Sequence, residues 1–264
     1  MKITIILLIL LLNLNANSSD KIVVIGKSAA EMVVAASMQS KVIACDSNSF
    51  TKNKLANSLF LNQNDENYLD KILNLKPDLV MISDELLNGD EILRLTKQNI
   101  KLHKLKSHQT KKEFLNDFRL FAKETNTLNK IVDIETEWNS MFTEIDLFLL
   151  MGKYKSKKLV FAKYDKGNFW IAPKSSKENE FIKLMGSKNA STSEMDWQLL
   201  DQNDIPTCDF IVVENMTDTE LEENLSNNDL EKIKNKIICS ETSFDQYFPS
   251  TPSALISILK TISK

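Results

Sequence analysis

Along the first half of the chain, short apolar runs alternate with stretches whose apolar positions recur every three or four residues, the pattern of βαβ units on a parallel sheet. Strands are predicted at Ile22 to Ile25, Val42 to Ala44, Leu79 to Ile82 and Ile100 to Leu105. Between them the helical period predicts helices at Ala29 to Met38, Tyr68 to Leu73 and Glu85 to Lys97, with Pro77 closing the second just before its strand. From about Lys111 to Lys155 the pattern turns to long helix, with Phe114, Phe118, Phe121, Leu128, Ile131, Trp138, Ile145 and Phe148 among its regularly spaced apolar residues. A helix from Leu128 to Met151 would be about 36 Å long at about 1.5 Å per residue.

Beyond Lys157 the alternation resumes. Strands are predicted at Leu159 to Ala162, Phe169 to Ala172, Phe210 to Val213 and Ile237 to Cys239, and helices at Lys177 to Met185, around Leu199 to Asp204, at Thr219 to Lys234 and at Pro252 to Ile262. The expected fold class is α/β: two open parallel-sheet lobes joined by one long α-helix, with a ligand cleft between the lobes. The expected divisions are an export signal at 1–16, an N-terminal α/β lobe at 17–110, a helical connector at 111–156 and a C-terminal α/β lobe at 157–264.

The export signal is read from Lys2 ahead of the apolar run Ile3 to Leu12, followed by Leu14-Asn15-Ala16 as a small-residue cleavage site. The run is shorter than the roughly 20 residues that span a bilayer, so the mature chain is expected free in the periplasm. Composition then narrows the partners. The net charge is -3, and of the 33 basic residues only Arg94 and Arg119 are arginine, so the basic patch and bidentate forks that nucleic acid needs are missing. Cys45, Cys208 and Cys239 are too few for a disulfide framework, although a Cys208 to Cys239 bridge stays open because both lie in the second half.

Catalytic motifs are absent from the sequence. Gly26-Lys27-Ser28 has Lys21 where a phosphate loop needs its first glycine, and there is no Gly-x-Ser-x-Gly elbow, Cys-x-x-Cys pair or His-Glu-x-x-His helix. Two histidines do not make the set that holds a free metal ion. The expectation is a binding protein, not an enzyme. In open parallel sheets ligands bind beyond the carboxyl ends of the strands. Those ends carry Gly26-Lys27-Ser28, Asp46-Ser47-Asn48, Ser83-Asp84-Glu85 and Lys106-Ser107-His108 in the first half. In the second half they carry Tyr164-Asp165, Glu214-Asn215 and Ser240-Glu241-Thr242. Ser28, Ser47 and Ser107 are the candidate polar contacts. Tyr164, Trp170, Tyr247 and Phe248 are candidate aromatic walls for a planar ligand.

Two segments carry a family resemblance. The run Ile22-Val23-Val24-Ile25-Gly26-Lys27-Ser28-Ala29-Ala30-Glu31-Met32, and the helix from Tyr68 that ends at Leu75-Lys76-Pro77-Asp78 before a strand, resemble the helical-backbone class of substrate-binding proteins of ABC importers. Met185-Gly186-Ser187-Lys188-Asn189-Ala190 and Pro249-Ser250-Thr251-Pro252 resemble its haem-binding branch. The resemblance implies a monomeric periplasmic protein without an intrinsic cofactor. It would capture haem or a related iron chelate and deliver it to an ABC permease and its ATPase. It also implies permease-docking acids at Asp70 and Asp201, one in each half.

The resemblance departs at one position: the branch usually supplies an iron-coordinating tyrosine a few residues before the Leu-Lys-Pro-Asp helix, where this chain has Gln63. Tyr68, inside the helix, and His108, on the loop after a strand, are the candidate substitute iron ligands, against a surface or packing role for Tyr68 and an exposed polar loop position for His108; His103, alternating with Leu102 and Leu105, reads as structural. The missing tyrosine motivates two alternatives, a siderophore or corrinoid as ligand, or a repurposed scaffold that binds another protein.

Overall fold

The computed structural model describes residues 21–46, 55, 57–83, 86–108, 110–152, 157–165, 168–200, 207–225, 236–244 and 246–263. The chain divides into two compact units, Met1–Glu135 and Thr136–Lys264. The expected signal segment, Ser47 and Asp201 lie outside the described residues.

The first unit contains β1 (Ile22–Ile25), α1 (Lys27–Ala35), β2 (Val42–Asp46), β3 (Leu59–Leu61), α2 (Tyr68–Leu75), β4 (Leu79–Ser83), α3 (Gly89–Lys97), β5 (Lys101–Leu105) and α4 (Lys111–Glu124). Its strands form one wholly parallel sheet in the order β3-β2-β1-β4-β5. Strand β1 is central and all four of its residues are buried, as a β-branched run covered on both faces should be. The Leu-Lys-Pro-Asp segment shows how sequence sets this geometry. Lys76 turns into the left-handed region at φ 48°, Pro77 bars further helix, and Asp78 ties the start of β4 to the start of β1. The Asp78 N–H donates to the Lys21 carbonyl at 2.9 Å, and the Lys21 N–H donates to Asp78 Oδ2 at 3.0 Å.

Helix α3 starts at Gly89 rather than Glu85, because Asn88 builds a capping box with Glu91. Strand β3 was not foreseen: three residues at a sheet edge, two of them exposed, leave little pattern to read. Thr110 and Glu113 cap α4 in the same way as Asn88 and Glu91, and Phe114, Phe118, Phe121 and Ala122 are its buried face. Asn126, at φ 57°, separates α4 from α5 (Leu128–Met151), a 24-residue helix with the bounds expected from its period. The division between the units falls inside α5.

The second unit continues with β6 (Lys158–Asp165), β7 (Asn168–Ile171), α6 (Lys177–Leu184), β8 (Lys188–Asn189), β9 (Gln198–Leu199), β10 (Phe210–Glu214), α7 (Asp218–Leu225), β11 (Ile237–Ser240) and α8 (Thr251–Ile262). Its sheet runs β11-β10-β6-β7-β9, with β8 alongside β6. This sheet is mixed, not purely parallel as expected. Only residues 166 and 167 separate β6 from β7, far fewer than the dozen or so that a parallel crossover needs, and the pair is antiparallel. Leu199, where a helix was expected to begin, ends the edge strand β9, and 201–204 of that expected helix lie outside the described residues.

One face of this sheet packs Leu159, Phe161 and Val212 against Ile145 of α5, Phe181 of α6 and Leu255 and Leu259 of α8. Trp138 is fully buried, its indole N–H donating to the Pro249 carbonyl at 3.2 Å. The three cysteines are free thiols. Cys208 precedes β10 whereas Cys239 is in register with Val213, five residues further along. At about 3.3 Å per residue the two lie on the order of 16 Å apart, too far to bridge. Among the described residues no helix is both long and apolar enough to cross a membrane.

Candidate functional site

In the first unit the carboxyl ends of β1, β2 and β4 converge on one buried polar cluster. Gly26 leaves β1 with φ 92° and ψ 156°, which aims its N–H at Asp46 Oδ1, 3.0 Å away at the end of β2. Asp46 is completely buried, and its other oxygen accepts from the Gln63 amide. Ser83, ending β4, accepts the Ala29 N–H at 3.3 Å from the first turn of α1, beside half-buried Ser28. Gln63 is therefore committed to a buried carboxylate.

Tyr68 packs into the core with Val23, Leu69 and Ile72, and its hydroxyl is buried. Burial first, and then the negative charge of Asp46, push its phenol well above the usual tyrosine range. A neutral, buried phenol is a packing group. Asp70, two residues on, is exposed and pairs with Arg94 of α3 at 2.5 Å.

The two histidines share one acceptor on α4. His108 Nε2 is 2.8 Å from Asp117 Oδ2, His103 Nε2 is 3.5 Å from Asp117 Oδ1, and His103 Nδ1 is 2.7 Å from Glu124 Oε2. His103 is the structural residue its strand position suggests. His108 departs from the expectation of an exposed loop residue: it is 3% exposed, between exposed Ser107 and α4. Burial alone would depress His103, but its bonds to Asp117 and Glu124 outweigh that and raise it to about 9. Burial works against Asp117 too, yet the two imidazoles lower it to about 2.

A pH dependence follows. A histidine raised on folding contributes stability that is complete below about pH 6.5 and is lost as the pH climbs through about 9; the lowered Asp117 contributes above about pH 4 and loses its share as the pH falls through about 2. With Glu124 nearly half exposed and its attraction screened, the loss from pH 6.5 to 9.5 should be about 2 kcal/mol. Urea unfolding at the two pH values should show that loss in the wild type and not in His103→Gln. Equal pH dependence in both would refute the assignment.

In the second unit five residues form one row across the sheet at the carboxyl ends of β11 and β10: Ser240, Glu214, Lys163, Trp170 and Leu199. Lys163 organises the row. Its ammonium lies 3.1 Å from Glu178 of α6, 3.9 Å from Glu214 and 4.9 Å from the centre of the Trp197 ring. Both carboxylates are buried, and Glu214 also accepts the Ser243 hydroxyl at 3.1 Å and the Phe244 N–H at 2.9 Å. The lysine is matched by the two carboxylates, and what the row offers a ligand is flat apolar surface from Trp170 and Trp197 beside the lysine side chain.

Of the expected aromatic walls, half-buried Trp170 stands in this row. Tyr164 packs at a tilt against Phe169 in the core beneath the opposite face, and Tyr247 packs between Trp138 and Phe181. Phe248 is buried. Glu178, Lys163 and Trp197 were not singled out from the sequence. Lys163 had the one usable signal, a charge on the strand face that also carries Leu159 and Phe161. Among the described residues no group of three or more His, Cys, Asp or Glu side chains is arranged to hold a metal ion.

Comparison with known proteins gives this geometry its context. No curated protein sequence matches at a significant level. Among solved structures, a periplasmic haem-binding protein of Pseudomonas aeruginosa is similar at TM-score 0.75 and 13% identity, covering 93% of each chain. The periplasmic haem-binding protein HutB of Vibrio cholerae is similar at TM-score 0.70 and 17% identity, over 93% of this chain and all of its own. An ABC transporter substrate-binding protein of Listeria monocytogenes follows at TM-score 0.62 and 14% identity, covering 92% and 98% of the two chains. At these identities the likeness speaks for the fold. The family model for periplasmic binding proteins matches residues 22–232, and the chain belongs to that family, whose members bind a solute and carry out no catalysis.

Proposed function

We propose that this periplasmic binding protein captures haem or a haem-like iron compound and hands it to an ABC permease. The observation that carries the reading is the similarity, over more than nine-tenths of the chain, to two haem-binding proteins. The row around Lys163 adds chemical support: Trp170 and Trp197 beside the lysine side chain offer flat apolar surface of the kind a planar macrocycle takes. Ser28 and Ser107, at strand ends of the first unit, are proposed as polar contacts. Asp70 would serve as a docking acid for the permease, together with Asp201. In such a role two separated carboxylates set orientation and association rate more than affinity.

A second reading, a siderophore or corrinoid as the ligand, is favoured by the side chains expected to reach iron. Gln63 is bonded to Asp46, Tyr68 holds a buried neutral phenol and His108 is bonded to Asp117. A ligand whose metal is already saturated needs none of them. Native mass spectrometry separates the readings, using protein exported by cells grown with haemin, ferric siderophores and a corrinoid together. A haemin-mass adduct with a Soret band is expected. A ferric-siderophore or cobalt-corrinoid adduct without a haem Soret band would replace the first reading with the second, and protein carrying no small molecule would overturn both.

A further inference from the structure

We propose that Asp117 is a positioning residue: from the buried face of α4 it anchors, through His108, the loop after β5 that presents Ser107. This rests on the functional reading above only for the claim that Ser107 meets the ligand; the anchoring stands on geometry alone.

The placement of Asp117 is costly for stability by itself. It lies three residues after Phe114 and four before Phe121, on the stripe that α4 buries, and only 17% of its side chain is exposed. An apolar residue there would extend the core, whereas a carboxylate must be desolvated and then matched. What matches it is His108 at 2.8 Å, with His103 at 3.5 Å on its second oxygen, itself steadied by Glu124. The loop side is equally specific. His108 is buried while its neighbours Lys106 and Ser107 are exposed, and its ring sets its edge against Phe114 at 5.5 Å between centroids. Strand β5 is an edge strand of its sheet among the described residues, paired to β4 on one side. A buried imidazole on an otherwise exposed loop, bonded to a carboxylate on an otherwise apolar stripe, is an anchor at a ligand-side strand end.

The test combines proteolysis with binding. Trypsin cleavage after exposed Lys106, measured against cleavage elsewhere in the same chain, should accelerate about tenfold in Asp117→Leu, which keeps the stripe apolar and the helix intact. Asp117→Asn, which still accepts the imidazole N–H, should restore slow cleavage, a rescue that a purely space-filling role would not give. His108→Ala releases the same anchor from the loop side and should match Asp117→Leu, which covers the case in which the helix variant fails to fold. Unchanged cleavage after Lys106 in the released variants, or no rescue by Asn, would overturn the anchoring. Haemin affinity should fall about tenfold in the released variants. If haemin fails to bind the wild type, the functional reading fails while the proteolysis still decides the anchor; if it binds all variants equally, Ser107 is not a ligand contact.

Discussion

Gly26→Ala should lose on the order of 4 kcal/mol of unfolding free energy. Gly26 stands at φ 92° and ψ 156°, a region open essentially to glycine alone, and holding any other residue there costs about 1–3 kcal/mol. Space is closed as well. A Cβ would lie 2.6 Å from both Ser83 Cβ and Leu86 Cδ1, and closer still to Ser83 Oγ. Ser83 belongs to the strand paired beside β1, so it can yield only by moving β4, and overpacking of that kind costs about a further 1–3 kcal/mol. The same shift would pull the Gly26 N–H from Asp46 and leave a fully buried carboxylate short of a donor. Urea unfolding should show a much lower midpoint at unchanged slope. A loss under about 0.5 kcal/mol, the range of an unremarkable surface change, would mean that the β1 turn is not the constrained feature described.

Glu214→Ala should cost about 3 kcal/mol, the second large effect. The carboxylate ends β10 and is buried, accepting from the Phe244 N–H and the Ser243 hydroxyl with Lys163 nearby. Hydrogen bonds to a charged group contribute about 1.5–3 kcal/mol, and the donors left behind in a buried site carry their own desolvation penalty. Glu214→Gln keeps one acceptor oxygen and should lose roughly half as much. A loss in Glu214→Ala with none in Glu214→Gln, which fills the same space, would show that the side chain fills space and that its charge organises nothing. The effect bears on function because this glutamate fixes both the segment after β11 and the lysine at the centre of the row.

The sequence made the elements legible wherever one residue type forced the backbone. Pro77 stopped α2, the β-branched run from Ile22 marked a buried central strand, and the spacing of Ile131, Trp138 and Ile145 gave α5 its bounds. Illegible were the features fixed by partners distant in sequence. Strands β3 and β9 have three and two residues, and each exists because a neighbouring strand offers hydrogen bonds, a fact no local period records. The turns that carry ligand-side residues followed from strand order, but the state of each side chain did not. Gln63 and His108 looked available in the sequence, and Asp46 and Asp117, 17 and 9 residues away, engage them. Lys163 and Glu178 meet only because β6 and α6 pack together, so neither stood out alone.

Titration of haemin into the mature chain, followed by Soret absorbance, tests the central claim most directly. The expected result is a saturable shift with a defined stoichiometry, retained in Tyr68→Phe because the buried neutral phenol is not an iron ligand, and weakened in Lys163→Ala. A featureless, non-saturable rise in absorbance would contradict a haem-like ligand, and loss of the shift in Tyr68→Phe would contradict the site as built here.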